Sequence, residues 1–181
     1  MLRSTQPRLS HVGLYVRDVE LMVHFYSELF GLRVTDRGRG RTFNTDLVFM
    51  SADPEHHHQL VIASGRPPEA TFSTIMQLSF KADAIDDLRR AQAKAPMLGA
   101  SKLFTLNHGN ALSVYFNDPE GNTVEVYVDT PFYVAQPHGD PLDLSKSDSE
   151  ILAETEANCR TDPSFMSAKS WQEQFKGDAG V

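Results

Sequence analysis

The chain has a single cysteine, Cys159, among its 181 residues. One cysteine excludes a disulfide framework within the chain, and such usage is typical of a reducing compartment. No apolar run approaches the roughly 20 residues that a membrane-spanning helix needs. We therefore expect a cytoplasmic protein without a membrane partner.

Basic residues are fewer than acidic ones. The chain has 17 Lys and Arg against 24 Asp and Glu, a formal net charge of −7, and a pI near 5.4. Nucleic-acid binding needs a basic surface that neutralises phosphates, and the one basic cluster, Arg37–Arg41, is predicted to be a solvated loop. We expect no nucleic-acid partner, and a hydrophobic content of 40% is sufficient for a folded core.

A βαβββ order of predicted elements occurs twice along the chain. The triplet Asp53-Pro54-Glu55 recurs 65 residues later as Asp118-Pro119-Glu120, which supports a repeat. The elements of the first module are strand His11–Val16, a helix capped by Asp18 and ended by Gly31, and strands Leu32–Asp36, Thr45–Ser51 and His58–Ser64. The elements of the second module are strand Ile75–Lys81, helix Asp83–Ala95, and strands Lys102–Leu106, Leu112–Asn117 and Thr123–Val128.

This order predicts an α+β fold. A module with one apolar sheet face cannot close a core alone, so we expect modules 8–65 and 72–130 to form a curved, cup-shaped mixed sheet in one domain, 1–130. Residues 131–181 are predicted to be an extended and helical tail that covers a face of the domain or of a neighbouring subunit. A capping box at Ser147–Glu150 opens its helix, Ile151–Arg160, and Trp171 and Phe175 are its predicted anchors.

One acidic residue stands where a strand would favour a hydrophobe. The segment His108–Tyr127 reads as a β-hairpin with a turn at Asp118–Asn122, and Glu125 lies between Val124 and Val126 in its second strand. A buried charge needs a metal, a cation or several hydrogen-bond donors. Glu125 is therefore a candidate functional residue.

Several histidines lie at the predicted strand edges, whereas His24 falls within a helix and His138 in the tail. In the doubled architecture the first and last strands of each module line one concave face, so His11, Gln77 and Glu125 are expected to converge there. A fourth position is His58 or Gln59, which as neighbours on a strand would point to opposite faces. Imidazole, carboxylate and amide ligands with open positions predict a divalent-metal site.

These motifs resemble the vicinal oxygen chelate superfamily, which includes glyoxalases, extradiol catechol dioxygenases, fosfomycin-resistance enzymes and bleomycin-binding proteins. The resemblance covers about residues 8 to 130, and it is strongest toward the extradiol dioxygenases. The motifs that carry it are His11 at the start of a module, Phe25–Leu32, His57–Ile62 and His108–Tyr127.

The resemblance implies roles for individual residues. His11 and Glu125 match two metal ligands of the extradiol dioxygenases, and Tyr115 matches a tyrosine that hydrogen-bonds a substrate oxygen. His58 matches a histidine beside the oxygen site, in an acid-base role, and His108 matches a further histidine at the pocket edge. We favour His58 over Gln59 because it agrees with the retained Tyr115 and His108.

Gln77 is the departure, because the dioxygenases have a histidine at this position. The expected function is a metal-dependent, extradiol-type dioxygenase for a small vicinal-diol aromatic substrate, with His11, Gln77 and Glu125 as ligands. Fe(II) is the expected ion, with Mn(II), Zn(II) and Ni(II) as alternatives. A glyoxalase-like lyase or isomerase and a non-catalytic small-molecule-binding protein are the alternative functions, and a homodimer is expected from the resemblance.

Overall fold

The structure, a computed structural model, describes residues 7–42 and 44–178. The chain divides into two units, with the boundary between Thr74 and Ile75. The boundary lies near the predicted limit between the modules, and the tail belongs to the second unit. How the modules combine into a single domain stays a prediction.

The first unit is a βαβββ module whose four strands form one mixed sheet in the order β1-β4-β3-β2. Strands β1 and β4 are parallel, and the other pairs are antiparallel. Asp18 caps the helix by accepting a hydrogen bond from the backbone N–H of Leu21, and Gly31 ends it with a positive φ of 68°. Its elements are β1 (Val12–Val16), α1 (Val19–Phe30), β2 (Arg33–Arg39), β3 (Asp46–Ser51) and β4 (Leu60–Ser64).

The second unit repeats the arrangement, with strand order β5-β8-β7-β6 and a parallel pair formed by its first and last strands. The predicted α+β class and the two βαβββ modules are therefore confirmed. The module's elements are β5 (Leu78–Lys81), α2 (Ile85–Lys94), a 3₁₀ helix (Ala95–Leu98), β6 (Ser101–Asn107), β7 (Ala111–Asn117) and β8 (Thr123–Asp129).

The tail of the second unit contains two helices and two short strands. The capping box is confirmed, because the Ser147 hydroxyl accepts from the Glu150 N–H and the Glu150 carboxylate accepts from the Ser147 N–H. Trp171 stacks on Tyr133 with ring centroids 5.3 Å apart, which anchors the last helix to the first tail strand. The tail elements are β9 (Phe132–Tyr133), α3 (Asp148–Cys159), β10 (Met166–Ser167) and α4 (Ala168–Asp178).

Three predictions of local structure were wrong. Strand β4 begins at Leu60, so His58 precedes the strand, and β5 begins at Leu78, so Gln77 also lies just before its strand. The basic cluster is a strand for most of its length, because β2 extends to Arg39. Phe175 is 64% exposed and stacks on Trp171, so within the chain it is not buried, and its role as an anchor on a neighbouring subunit stays a prediction. Among the described residues, no helix has the length and apolar character needed to span a bilayer.

Helix α2 contacts β7 and β8, and Leu88 on this helix is fully buried. We expect Leu88→Ala to lower the free energy of unfolding by about 2–5 kcal/mol, because the substitution leaves a cavity over the sheet. Met97→Ala is the control, since Met97 is 84% exposed, and it should change the value by less than about 0.5 kcal/mol. Urea denaturation measures both, and equal losses would contradict the assigned burial.

Candidate active site

Glu125 lies on β8, a strand that is hydrogen-bonded to neighbours on both sides. Its partners in register are Ser79 on β5 and Tyr115 on β7. The residue is only 7% exposed. The predicted hairpin with a carboxylate in its second strand is therefore confirmed, and the sheet places polar side chains on either side of it.

Four donors surround the Glu125 carboxylate. Oε1 accepts from the hydroxyls of Ser113, at 2.8 Å, and Tyr115, at 2.5 Å. Oε2 accepts from the amide nitrogen of Gln77, at 2.8 Å, and the hydroxyl of Ser79, at 2.5 Å. A carboxylate has about four lone-pair positions. These bonds offset the loss of hydration that burial imposes on the charge.

Tyr115 connects the carboxylate to His108. Burial, the hydrogen bond to Glu125 and the negative charge of that carboxylate together raise the pKa of Tyr115 well above its usual value. Phe104 stacks on the Tyr115 ring with centroids 4.9 Å apart, which limits ring rotation. The hydroxyl therefore stays protonated, and it lies within hydrogen-bond distance of both Glu125 Oε1 and His108 Nε2.

His108 extends this connection by one residue. Its Nε2 lies 2.9 Å from the Tyr115 hydroxyl, and its Nδ1 lies 2.9 Å from the carbonyl oxygen of His138. A carbonyl only accepts, so Nδ1 carries a proton. The Tyr115 oxygen thus lies between His108 Nε2 and Glu125 Oε1, and the three groups form a continuous hydrogen-bonded chain along which a proton can be relayed.

The hydrogen-bonded chain His108–Tyr115–Glu125, here named the proton relay, lines a cavity of about 430 Å³ in the second unit. Ligand pockets of roughly 300–1,000 Å³ accommodate small organic molecules. The volume lies within this range. The lining residues are Gln77, Ser79, His108, Asn110, Ala111, Tyr115, Glu125, Tyr127 and Gln136.

In the first unit, His11 and His58 are neighbours, with ring centroids 4.3 Å apart. Burial, followed by the charges of His11 and His57, lowers the pKa of His58. His57 lies between His58 and Asp36, at 2.9 Å from the former and 2.8 Å from the latter. The lowered pKa favours the neutral form of the His58 imidazole.

The side chain of Gln59, the alternative to His58, forms hydrogen bonds within the first unit. Its side-chain oxygen accepts hydrogen bonds from the Ala52 N–H, at 3.0 Å, and the Ser51 hydroxyl, at 3.3 Å. These bonds join it to the turn after β3. His56 pairs with Asp53 at 2.7 Å on the exposed surface of the same turn. The Gln59 side chain is thus engaged in the turn, whereas the His58 ring packs against His11.

The second unit offers two side chains that could bind a divalent ion together, Gln77 and Glu125. Within each unit, no group of three or more His, Cys, Asp or Glu side chains among residues 7–42 and 44–178 is arranged to hold a metal ion. Carboxylate and amide oxygens are suitable ligands for hard divalent cations. Gln77 directs its nitrogen at Glu125, and turning its amide over would present the oxygen instead. With the Gln77 amide turned over, Gln77 and Glu125 would both present oxygen atoms, and these donor types fit a divalent metal ion.

Three residues of the site were missed by sequence reasoning. Ser79 and Ser113 donate to Glu125, and each lies two positions from a predicted site residue, Gln77 or Tyr115. The period of two in a strand was a signal that could have found both. The third, His138, lies in the tail, and its backbone carbonyl accepts from His108. Its role depends on a main-chain atom, which no side-chain pattern reports.

The sequence profile of the Glyoxalase/Bleomycin resistance protein/Dioxygenase superfamily matches residues 8–126. The protein belongs to this superfamily. The matched region includes the first module and the second as far as the middle of β8, and it ends before the tail.

Two relatives within the superfamily are biphenyl-2,3-diol 1,2-dioxygenases 3 and 2 of Rhodococcus globerulus. The chain is 28% identical to the first over 127 residues and 25% identical to the second over 126 residues, in each case over 68% of its own length. It spans 64% and 63% of the length of these relatives.

Solved structures agree on the superfamily fold. A glyoxylase/bleomycin resistance protein/dioxygenase domain from Frankia sp. EAN1pec has a TM-score of 0.59 at 22% identity, covering 70% of this chain and 100% of that one. The fosfomycin resistance protein FosX of Listeria monocytogenes, complexed with Mn(II) and sulfate, has a TM-score of 0.52 at 19% identity, covering 70% and 95%. At these identities the likeness concerns the fold alone.

The raised pKa of Tyr115 predicts a pH dependence of stability. Below about pH 10, the usual tyrosine pKa, the stabilisation is complete. It is lost as the pH rises through the higher folded-state pKa, because the folded protein retains a proton that the unfolded chain releases. In urea denaturation of chelator-treated protein, we expect Tyr115→Phe to reduce the loss of unfolding free energy above about pH 10. Tyr15→Phe, at a 57% exposed position, should retain the wild-type slope; equal slopes for all three proteins would contradict the assignment.

Proposed function

We propose that this protein is a metal-dependent enzyme of the extradiol dioxygenase type, acting on a small aromatic molecule with two vicinal hydroxyl groups. The observation that carries the proposal is the His108–Tyr115–Glu125 hydrogen-bonded chain that lines the cavity. The sequence similarity to two biphenyl-2,3-diol dioxygenases supports the same reaction class.

Extradiol cleavage requires protons to leave the substrate hydroxyls and later return. Tyr115 is suited to donate a hydrogen bond to a substrate oxygen, because its high pKa keeps the hydroxyl protonated. His108 can supply or accept the proton that Tyr115 passes on. In the first unit, His58 is proposed as a further acid-base group, because its lowered pKa leaves it neutral at physiological pH.

The proposed metal ligands are His11 of the first unit and Gln77 and Glu125 of the second. When bound, a divalent ion would supply Lewis acidity toward the two vicinal oxygens of the substrate. Fe(II) is the proposed ion. Ser79 and Ser113 would keep Glu125 in position through the hydrogen bonds they already donate to it.

The ligand assignment predicts the metal content of single variants. Anaerobically reconstituted wild-type protein should bind about one Fe(II) per chain. His11→Ala and Glu125→Ala should each lower the affinity at least about tenfold, because each substitution removes one ligand. Elemental analysis after desalting measures the content, with His24→Ala as the matched histidine control. Unchanged iron content in both ligand variants would refute the ligand set.

Activity tests the reaction class directly. Fe(II)-loaded protein mixed with biphenyl-2,3-diol or simple catechols in air should form a yellow ring-opened product, followed by absorbance and oxygen uptake. Tyr115→Phe should lower kcat about 10²-fold or more, because the proton relay is interrupted. No ring-opened product from any catechol, with iron demonstrably bound, would exclude ring cleavage.

Gln77 favours a second candidate, a glyoxalase-like isomerase or lyase. A neutral amide is a weaker donor than imidazole, and proton movement on a substrate with vicinal oxygens needs no oxygen activation. This candidate predicts turnover with Zn(II) or Ni(II) under anaerobic conditions. Gln77→His should raise ring cleavage under the first proposal, whereas Gln77→Asn, a shorter amide, should not. A protein that binds catechols without any turnover would instead be a binding module.

A further inference from the structure

The tail segment Val134–Asp140, here named the clamp segment, lies against the tip of the hairpin between β6 and β7. We infer that the clamp segment positions His108 for the proton relay and selects its tautomer. The catalytic role of His108 in this inference rests on the proposed function. The contacts between His108 and the clamp segment do not depend on it. The segment follows the superfamily-matched region, which ends at residue 126.

The clamp segment holds both the ring and the backbone of His108. The His138 carbonyl accepts from the ring Nδ1 at 2.9 Å, and the Gln136 amide donates to the His108 carbonyl at 2.8 Å. The same amide lies 3.3 Å from the side-chain oxygen of Asn110. Because the carbonyl of His138 can only accept, the proton is fixed on Nδ1, and Nε2 is directed toward Tyr115.

The residue before His108 is attached to the tail as well. Asn107 and Asp140 form a backbone bridge, with N–O distances of 2.9 and 2.8 Å. The buried Asn107 amide donates to the buried hydroxyl of Thr155 on α3, at 2.8 Å. Loss of one partner would leave a buried polar group unsatisfied. Helix α3 therefore supports the hairpin tip beneath His108.

Gly109, the residue after His108, permits this close approach. Its φ is +74°, and a Cβ placed on it would lie 2.5 Å from Val134 Cγ2 and 2.9 Å from Cys159 Sγ. The tail therefore packs directly on the hairpin backbone, and no side chain fits between them. Asn107, His108 and Gly109 are all in contact with tail residues, so the position of His108 depends on the tail.

Gln136 also lines the cavity that the relay faces. Its amide nitrogen is shared among main-chain and side-chain acceptors, and its oxygen accepts from the His138 N–H at 3.2 Å. The side chain is thus held rigidly. We assign Gln136 as a positioning residue, since it acts on the relay through His108.

Histidine tautomers measured by ¹⁵N NMR test the inference in the full-length chain, treated with chelator so that no paramagnetic ion is present. His108→Gln assigns the His108 signals. We expect wild-type His108 to be protonated at Nδ1. In Gln136→Met, which keeps the length but removes the donor, and in Thr155→Val, which keeps the volume, we expect the Nε2-protonated tautomer to become populated. Lys146→Ala, which breaks an exposed ion pair with Glu154 on α3, is the control and should match the wild type.

Turnover provides the second readout. If the proposed function holds, Gln136→Met should lower kcat about tenfold with little change in KM, because binding groups remain while the relay is misaligned. Folded Gln136→Met and Thr155→Val proteins with the wild-type tautomer would overturn the inference, whether or not the enzyme is active. Wild-type protein without turnover, but with the expected tautomer shifts, would refute the proposed function and leave the positioning role supported.

Discussion

The buried carboxylate of Glu125 is the constraint on which the rest of the second unit depends. A charge that is 7% exposed must find hydrogen bonds within the protein. Glu125 finds them on both neighbouring strands, from Ser79 on one side and from Ser113 and Tyr115 on the other. A one-residue shift in register would turn these donors to the opposite face. The register that pairs the strands is therefore also the register that brings the hydrogen-bond donors to Glu125.

The βαβββ topology explains why this position is available in the second unit. The last strand of the second βαβββ module, β8, pairs with β5 on one side and with β7 on the other. A side chain on β8 is consequently reached from two strands, whereas β5 and β6 have one strand partner each. The first unit has the same strand order, and there β4 follows the turn that carries His58. The two modules therefore share a strand order, but His58 precedes its strand whereas Glu125 lies within β8.

Much of the fold was predictable because it depends on local signals. The Asp18 cap, the Gly31 terminator and the alternation around Glu125 each act within a few residues. The starts of β4 and β5 were not predictable, because His58 and Gln77 have side chains compatible with a strand but lie where strand pairing has not yet begun. Strand ends are decided by the partner strand, which a single segment does not contain.

The amino-acid sequence by itself predicted the α+β class, the two βαβββ modules and the candidate Glu125, because periodicity and caps are local properties, and the resemblance to the superfamily added Tyr115 and His108 as candidates. Only the tertiary structure decided how these side chains are connected. The four donors to Glu125 come from positions between 10 and 48 residues away, and the carbonyl that orients His108 belongs to a tail residue 30 positions further on. Such contacts arise from strand register and from main-chain atoms, which have no signature in the order of side chains.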